Sequence, residues 1–129
     1  MAINIIDTTQ FNTKLKATIQ ATGKLGFTKE TASHLSLSVG QTVNFAKDDE
    51  TEELYLVVAN EDSFNGLRVC KSGMYYYIQT KLMFDAFGYE YKKKTIIFDL
   101  IRKKELDATL NGRVYKMNKR ERIRNNMEI

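Results

Sequence analysis

One cysteine and one histidine stand in a chain of 129 residues that also has no proline and no tryptophan. The first two scarcities exclude most. Cys70 has no partner for an internal disulfide. With His34 as the only histidine, the usual Cys and His zinc sites are out of reach within one chain, so neither a metal nor a cofactor is expected. No apolar run approaches the roughly 20 residues of a membrane helix. No N-terminal apolar stretch carries the basic flank of a secretion signal. A cytoplasmic setting without a membrane partner is the expectation. The glycines form no phosphate-cradling loop, and neither Gly-Lys-Ser nor Gly-Lys-Thr occurs. Catalysis needs a nucleophile beside a base, a carboxylate pair or a metal cluster. None is visible, and the chain is read as a non-enzyme.

What is present describes an ordinary folded domain. Hydrophobic residues make up 43% and charged residues 28%, enough for one core and far from a disordered composition. The charge is unevenly placed. From Arg113 onward six basic residues face Glu121 and Glu128, which accounts for the whole net charge of +4. Residues 1–112 are therefore read as a single neutral, compact domain and 113–129 as a basic C-terminal arm, mobile beyond Tyr115 when free.

The hydrophobic pattern is mainly that of β-strands with short helices between them. Leu15, Ala17 and Ile19 alternate with Lys16, Thr18 and Gln20; a turn at Thr22-Gly23 follows, and Leu25 and Phe27 continue on a return strand. Thr28 is placed to cap a short helix reaching about Leu35. Residues 41–59 read as a hairpin with an acidic, solvated tip at 47–53, which lacks the glycine and ligand spacing of a calcium loop. A second series follows: a hairpin over 67–78 turning at Lys71-Ser72-Gly73, a helix over 80–87 ending at Gly88, and a strand over 94–101 with Ile96, Phe98 and Leu100 on one face. Asn111-Gly112 is the strongest two-residue hairpin signal and predicts a last hairpin between Leu106 and Met117. Thr28-Lys29 and Thr80-Lys81 open the two helices at an offset of 52, which aligns Leu35 with Phe87, Val39 with Tyr91 and Phe45 with Ile97. A shared order of strand, Thr-Lys, helix, strand results, whether or not it reflects a duplication.

Four features tempt a functional reading and have blander ones. His34 suits a structural role near a helix end, and Cys70 a small core hydrophobe. Lys92-Lys93-Lys94 reads first as a solvated loop and second as a phosphate contact. In Tyr75-Tyr76-Tyr77 the outer two share one strand face, where packing is weighed above a stacking platform for bases.

The run Gly23-Lys24-Leu25-Gly26-Phe27-Thr28-Lys29-Glu30, continuing through Leu35, Leu37, Gly40, Val43 and Phe45, resembles the signature of the AbrB, MazE and MraZ superfamily. That signature is a Gly-Arg turn, alternating apolar residues leading into Pro-Lys-Glu, a short helix, then Gly-Asp and a strand. The resemblance covers about residues 15–59. It departs at Thr28 (usually Pro), Ala32 (commonly Arg) and Gln41 (usually Asp). It implies a swapped-hairpin half-barrel, completed either by residues 66–102 of the same chain or by a second chain in a homodimer. It also implies a nucleic-acid-binding, transcription-regulator-like module for DNA. Lys16, Lys24 and Lys29 near the turn would then assist the arm residues Arg113, Lys116, Lys119, Arg120, Arg122 and Arg124. The rival expectation is an accessory protein, antitoxin-like or from a phage or mobile element, whose basic tail docks on an acidic protein surface.

Overall fold

The computed structural model describes residues 2–6, 15–59, 61–62 and 65–123. In chain order, β1 (Lys16–Ile19) and β2 (Leu25–Phe27) form a hairpin, α1 (Lys29–His34) follows, and β3 (Thr42–Lys47) and β4 (Leu54–Ala59) form a second hairpin. β5 (Leu67–Ser72) and β6 (Tyr75–Ile78) repeat the first step, α2 (Lys81–Ala86) the second, and β7 (Lys94–Arg102) begins the last hairpin. A 3-10 turn (Lys104–Leu106) and α3 (Asp107–Leu110) lead into β8 (Gly112–Ile123). The eight strands close into a barrel in the order β1-β2-β6-β5-β3-β4-β8-β7, with β7 pairing back onto β1. Every pairing is antiparallel.

Alternation fills the interior, because successive strand residues point to opposite faces. Ala17 and Ile19, Leu25 and Phe27, Leu54, Leu56 and Val58, and Ile96, Phe98 and Leu100 are all buried in one core. Each fully buried Leu, Ile or Phe contributes about 1.5–3 kcal/mol through burial. No helix of the described residues is long and apolar enough to cross a membrane.

The two helices repeat each other bond for bond at the offset of 52. The Ala32 amide donates to the Thr28 carbonyl at 2.9 Å, as that of Phe84 does to Thr80 at 3.0 Å. Leu37 donates back to Ala32 at 2.9 Å and Tyr89 to Phe84 at 3.1 Å, while Ser36 reaches Ser33 and Gly88 reaches Asp85, both at 3.0 Å. These paired bonds are the Schellman ending of a helix. They require a left-handed residue just past each cap, and Ser36 (φ 53°) and Gly88 (φ 78°) supply it. Only the starts differ. The Thr28 hydroxyl accepts the Thr31 amide at 3.2 Å, whereas the buried Thr80 hydroxyl donates to the Gly23 carbonyl at 2.8 Å and ties the first hairpin's turn to α2. After the helices the offset slips by one. Phe45, packed on the core, corresponds in facing to the buried Phe98 rather than to Ile97, which points outward. The second half uses one more residue to reach its strand.

Two expectations fail at the C-terminal end. Residues 113–123 are not an arm but nearly the whole of β8, paired with β4 up to Met117 and with β7 from Tyr115 to Ile123. The second half-unit therefore runs to residue 123, not 102. A neutral body with a charged tail was the wrong partition, because pairing on both edges stabilises a strand whose own side chains bury little. Asn111-Gly112 is likewise no two-residue hairpin turn. Asn111 takes the left-handed conformation (φ 55°, ψ 52°) as the C-cap of α3, and Gly112 opens β8.

An ion pair fixes this longer connection. The Arg102 guanidinium donates to both Asp107 oxygens, at 2.6 and 2.7 Å, and the Val114 amide donates to Asp107 Oδ1 at 3.1 Å. Chiefly the Arg102 hydrogen bonds, opposed in part by burial, hold the Asp107 carboxyl below its ordinary pKa.

Two measurements check these devices. Ser36→Gly removes a side chain from a left-handed position and should raise stability by about 0.5–1 kcal/mol, read as a higher denaturant midpoint at unchanged slope; a lower midpoint would contradict the assignment. Asp107 is depressed in the fold, so its stabilisation is complete above the ordinary carboxylate range and is lost as pH falls through and below it. Asp107→Asn should cost about 1–2 kcal/mol at neutral pH and lose less on acidification below about pH 4 than the native chain does. Equal acid sensitivity of the two proteins would remove Asp107 from the account.

Candidate nucleic-acid interface

Register defines one outer face. Cys70, Tyr77, Gly26, Thr18, Ile97 and Arg120 stand opposite one another across β5, β6, β2, β1, β7 and β8. With strands about 4.8 Å apart, this row runs roughly 24 Å around the barrel. Its inward neighbours are core residues, so the row faces outward. Gly26 contributes no side chain and leaves room for others: a Cβ there would lie 2.7 Å from Gln20 Nε2 and 3.6 Å from Tyr75 Cε2. The Gln20 amide and the Tyr75 ring thus close over β2 from either side.

Cations flank the row. Lys24 Nζ lies 4.6 Å from the Tyr77 ring centroid. Lys16 is opposite Asp99, which also accepts from Arg120 Nε at 2.6 Å and Nη2 at 3.1 Å. Arg122 is exposed opposite Thr95. Among the described residues neither Lys16 nor Arg122 forms an ion pair. Four basic side chains therefore share this face with one carboxylate. Tyr75 is 42% exposed at its edge.

The Gly23 turn, Lys81, and the Tyr91 loop meet at one end of this face, where a Cβ on Gly23 would contact Lys81 and the Tyr91 hydroxyl. Lys92 and Lys93 lie exposed in that loop, in a turn closed by the Lys93 and Lys94 amides on the Glu90 carbonyl. The sequence reads this lysine run first as a solvated loop and second as a phosphate contact, and no local signal ties it to the Gly23 turn; only the barrel does.

The other expected contacts are scattered. Lys29 opens α1 at the opposite end of the barrel, where the Lys16 amide meets the Thr31 hydroxyl. Arg113 lies beside the Tyr115 hydroxyl, across from Val58. Lys116 is bound by Glu53, whose carboxyl that contact holds below its usual pKa. Lys119 pairs with Glu121 at 3.0 Å and turns to the face opposite Arg120. Arg124 lies outside the described residues. Of the eight described basic residues singled out, Lys16, Lys24, Arg120 and Arg122 come together, and Lys29, Arg113, Lys116 and Lys119 do not join them.

The remaining candidates are quickly placed. His34 is exposed on the last turn of α1. Cys70, expected in the core, is half-buried on the outer face, because Val69 takes the inward position. The acidic tip is closed by Asp48, which accepts the Glu50 and Thr51 amides at 2.8 and 3.1 Å. Among the described residues no group of three His, Cys, Asp or Glu side chains is arranged to hold a metal. No family model, curated protein or solved structure matches the chain.

Proposed function

We propose that this protein is a non-enzymatic nucleic-acid-binding module whose barrel is of the swapped-hairpin, AbrB-like kind. The strand order supports the architectural part: each first-half hairpin is flanked on both sides by second-half strands, as interleaved halves require. Since eight strands of one chain close the ring, a second copy is not needed to complete it. The AbrB likeness rests on the Gly23 to Phe45 run, the Thr28 cap and the helix ending at Ser36. A reducing cytoplasm suits the single, half-buried Cys70.

The observation that carries the functional part is the outer row, with four cations against Asp99 and an exposed tyrosine beside them. Lysine and arginine there would neutralise phosphates and release counterions, which gives affinity and orientation without reading sequence. Tyr75 would offer a ring for an unpaired base. DNA is the polyanion proposed, bound by the barrel wall and not by a folding arm. The rival reading, an accessory protein docking on an acidic partner, draws on the same cations together with Met74 (65% exposed) beside Tyr75.

Salt titration of the native chain separates the two. Affinity for random duplex DNA should fall with a log-log slope of roughly −3 to −4, about −0.9 for each phosphate contact. Replacing Lys16 and Arg122 with glutamine should flatten that slope by about 2. Tyr75→Ala should weaken single-stranded binding by about 1–3 kcal/mol and leave the duplex slope alone. Absence of salt-dependent binding to either form would refute the nucleic-acid reading and favour the protein partner.

A further inference from the structure

Beyond the pair Leu54–Met117 the β4–β8 ladder ends, and Thr51, Glu52 and Glu53 of the β3–β4 tip line a gap together with Asn118 and Lys119 of β8. The gap is a half-open cleft of about 360 Å³ lined by residues 116–119 of β8 and not by Arg120. That volume is in the range of small-ligand sites.

Its floor is aromatic and rigid. Tyr89 stacks on the fully buried Phe84 at 5.4 Å between centroids and meets Phe87 edge to face at 5.6 Å. Phe98 lies under the cluster, 5.9 Å from Phe84. Above the floor sit two flexible cations: Lys47 Nζ is 4.7 Å from the Phe87 centroid and Lys119 Nζ 4.4 Å from that of Tyr89. Lys116 closes the wall against Glu53. Within the lining, three lysines outnumber Glu52 and Glu53.

We infer that this cleft binds a planar aromatic anion of nucleotide size, its ring stacked on Tyr89 with an edge toward Phe87 and its phosphate met by Lys119 and Lys47. A stacked base is worth more than an exposed ammonium resting on a ring, so the ligand displaces the two ammonium groups from the ring faces. Their four-carbon stems let them swing to the rim. Lys47 already contacts Glu52 at 2.9 Å and Lys119 contacts Glu121 at 3.0 Å, so each has a tether that keeps it beside the cleft during that exchange. This site is separate from the outer row, none of whose residues lines it.

The test uses the full chain and three probes: adenosine 5′-monophosphate, adenosine and inorganic phosphate, followed by NMR of the tyrosine and phenylalanine rings. The expected result is saturable binding of the monophosphate, with ring-current shifts at Tyr89 and Phe87, about fivefold or more tighter than either adenosine or phosphate alone. Lys119→Gln should weaken the monophosphate about fivefold and leave adenosine unchanged. Tyr89→Ala should abolish binding of both. Should that variant fail to fold, the lysine variant alone decides. The double substitution of Lys16 and Arg122 should leave the monophosphate affinity untouched, which keeps this site distinguishable from the outer face. No saturation at millimolar monophosphate, equal affinity for phosphate alone, or indifference to Lys119→Gln would overturn the proposal.

Discussion

A β-hairpin leaves two strand edges whose amides and carbonyls must find partners, and the first half of this chain has two hairpins that never pair with each other. All four of its edges are met by the second half: β1 by β7, β2 by β6, β3 by β5 and β4 by β8. Neither half can satisfy its backbone alone. That requirement explains why an isolated run of about 45 residues, too small to bury a core, carries so clear a pattern, and why the second half must follow the same order of elements while sharing little sequence. The near-identical hydrogen-bond sets of α1 and α2 are the local expression of the same constraint, since each helix must span the gap between its own two hairpins.

Closure also decides what lies outside. Once the inward positions are set by Ile19, Phe27, Ile78 and Ile96, the alternate residues turn to the outer face of the barrel. The row from Tyr77 to Arg120 is assembled this way from five strands that are distant in sequence. Each side chain in it is unremarkable locally; a lysine opposite an aspartate, or a glycine beside a glutamine, says nothing until register puts them side by side. The proposed interface is thus a product of pairing rather than of any contiguous motif.

That distinction separates what could be read in the sequence from what could not. Alternation marked β1 to β4 and the inward face of β7, the Thr28 hydroxyl marked a cap, and the offset of 52 between Thr-Lys steps marked the repeat. Each of these signals is local. The failures were all questions of partnership. β8 looks like a solvated tail because only Tyr115 and Met117 of its later residues turn to the core, and beyond them nothing in the strand itself announces β7 as a neighbour. Its support comes from the ladder to β7 and from cross-strand pairs such as Arg120 with Asp99 and Lys94 with Glu121. Asn111-Gly112 misled for a related reason. The left-handed conformation that the pair favours serves a helix end as well as a hairpin turn, and the choice was made by Asp107, whose carboxylate binds Arg102 and the Val114 amide.

β8 also shows how a strand handles a dense run of charge. Over residues 116–122 a helix would gather the cations on one broad face, as a folding arm requires. A strand divides them instead. Arg120 and Arg122 go to the outer row, Lys119 goes to the aromatic cleft with Met117 before it, and Glu121 lies between to hold Lys119 and Lys94. A basic tail read from composition as a single polyanion contact is instead divided, through the period of two, between two faces of one strand.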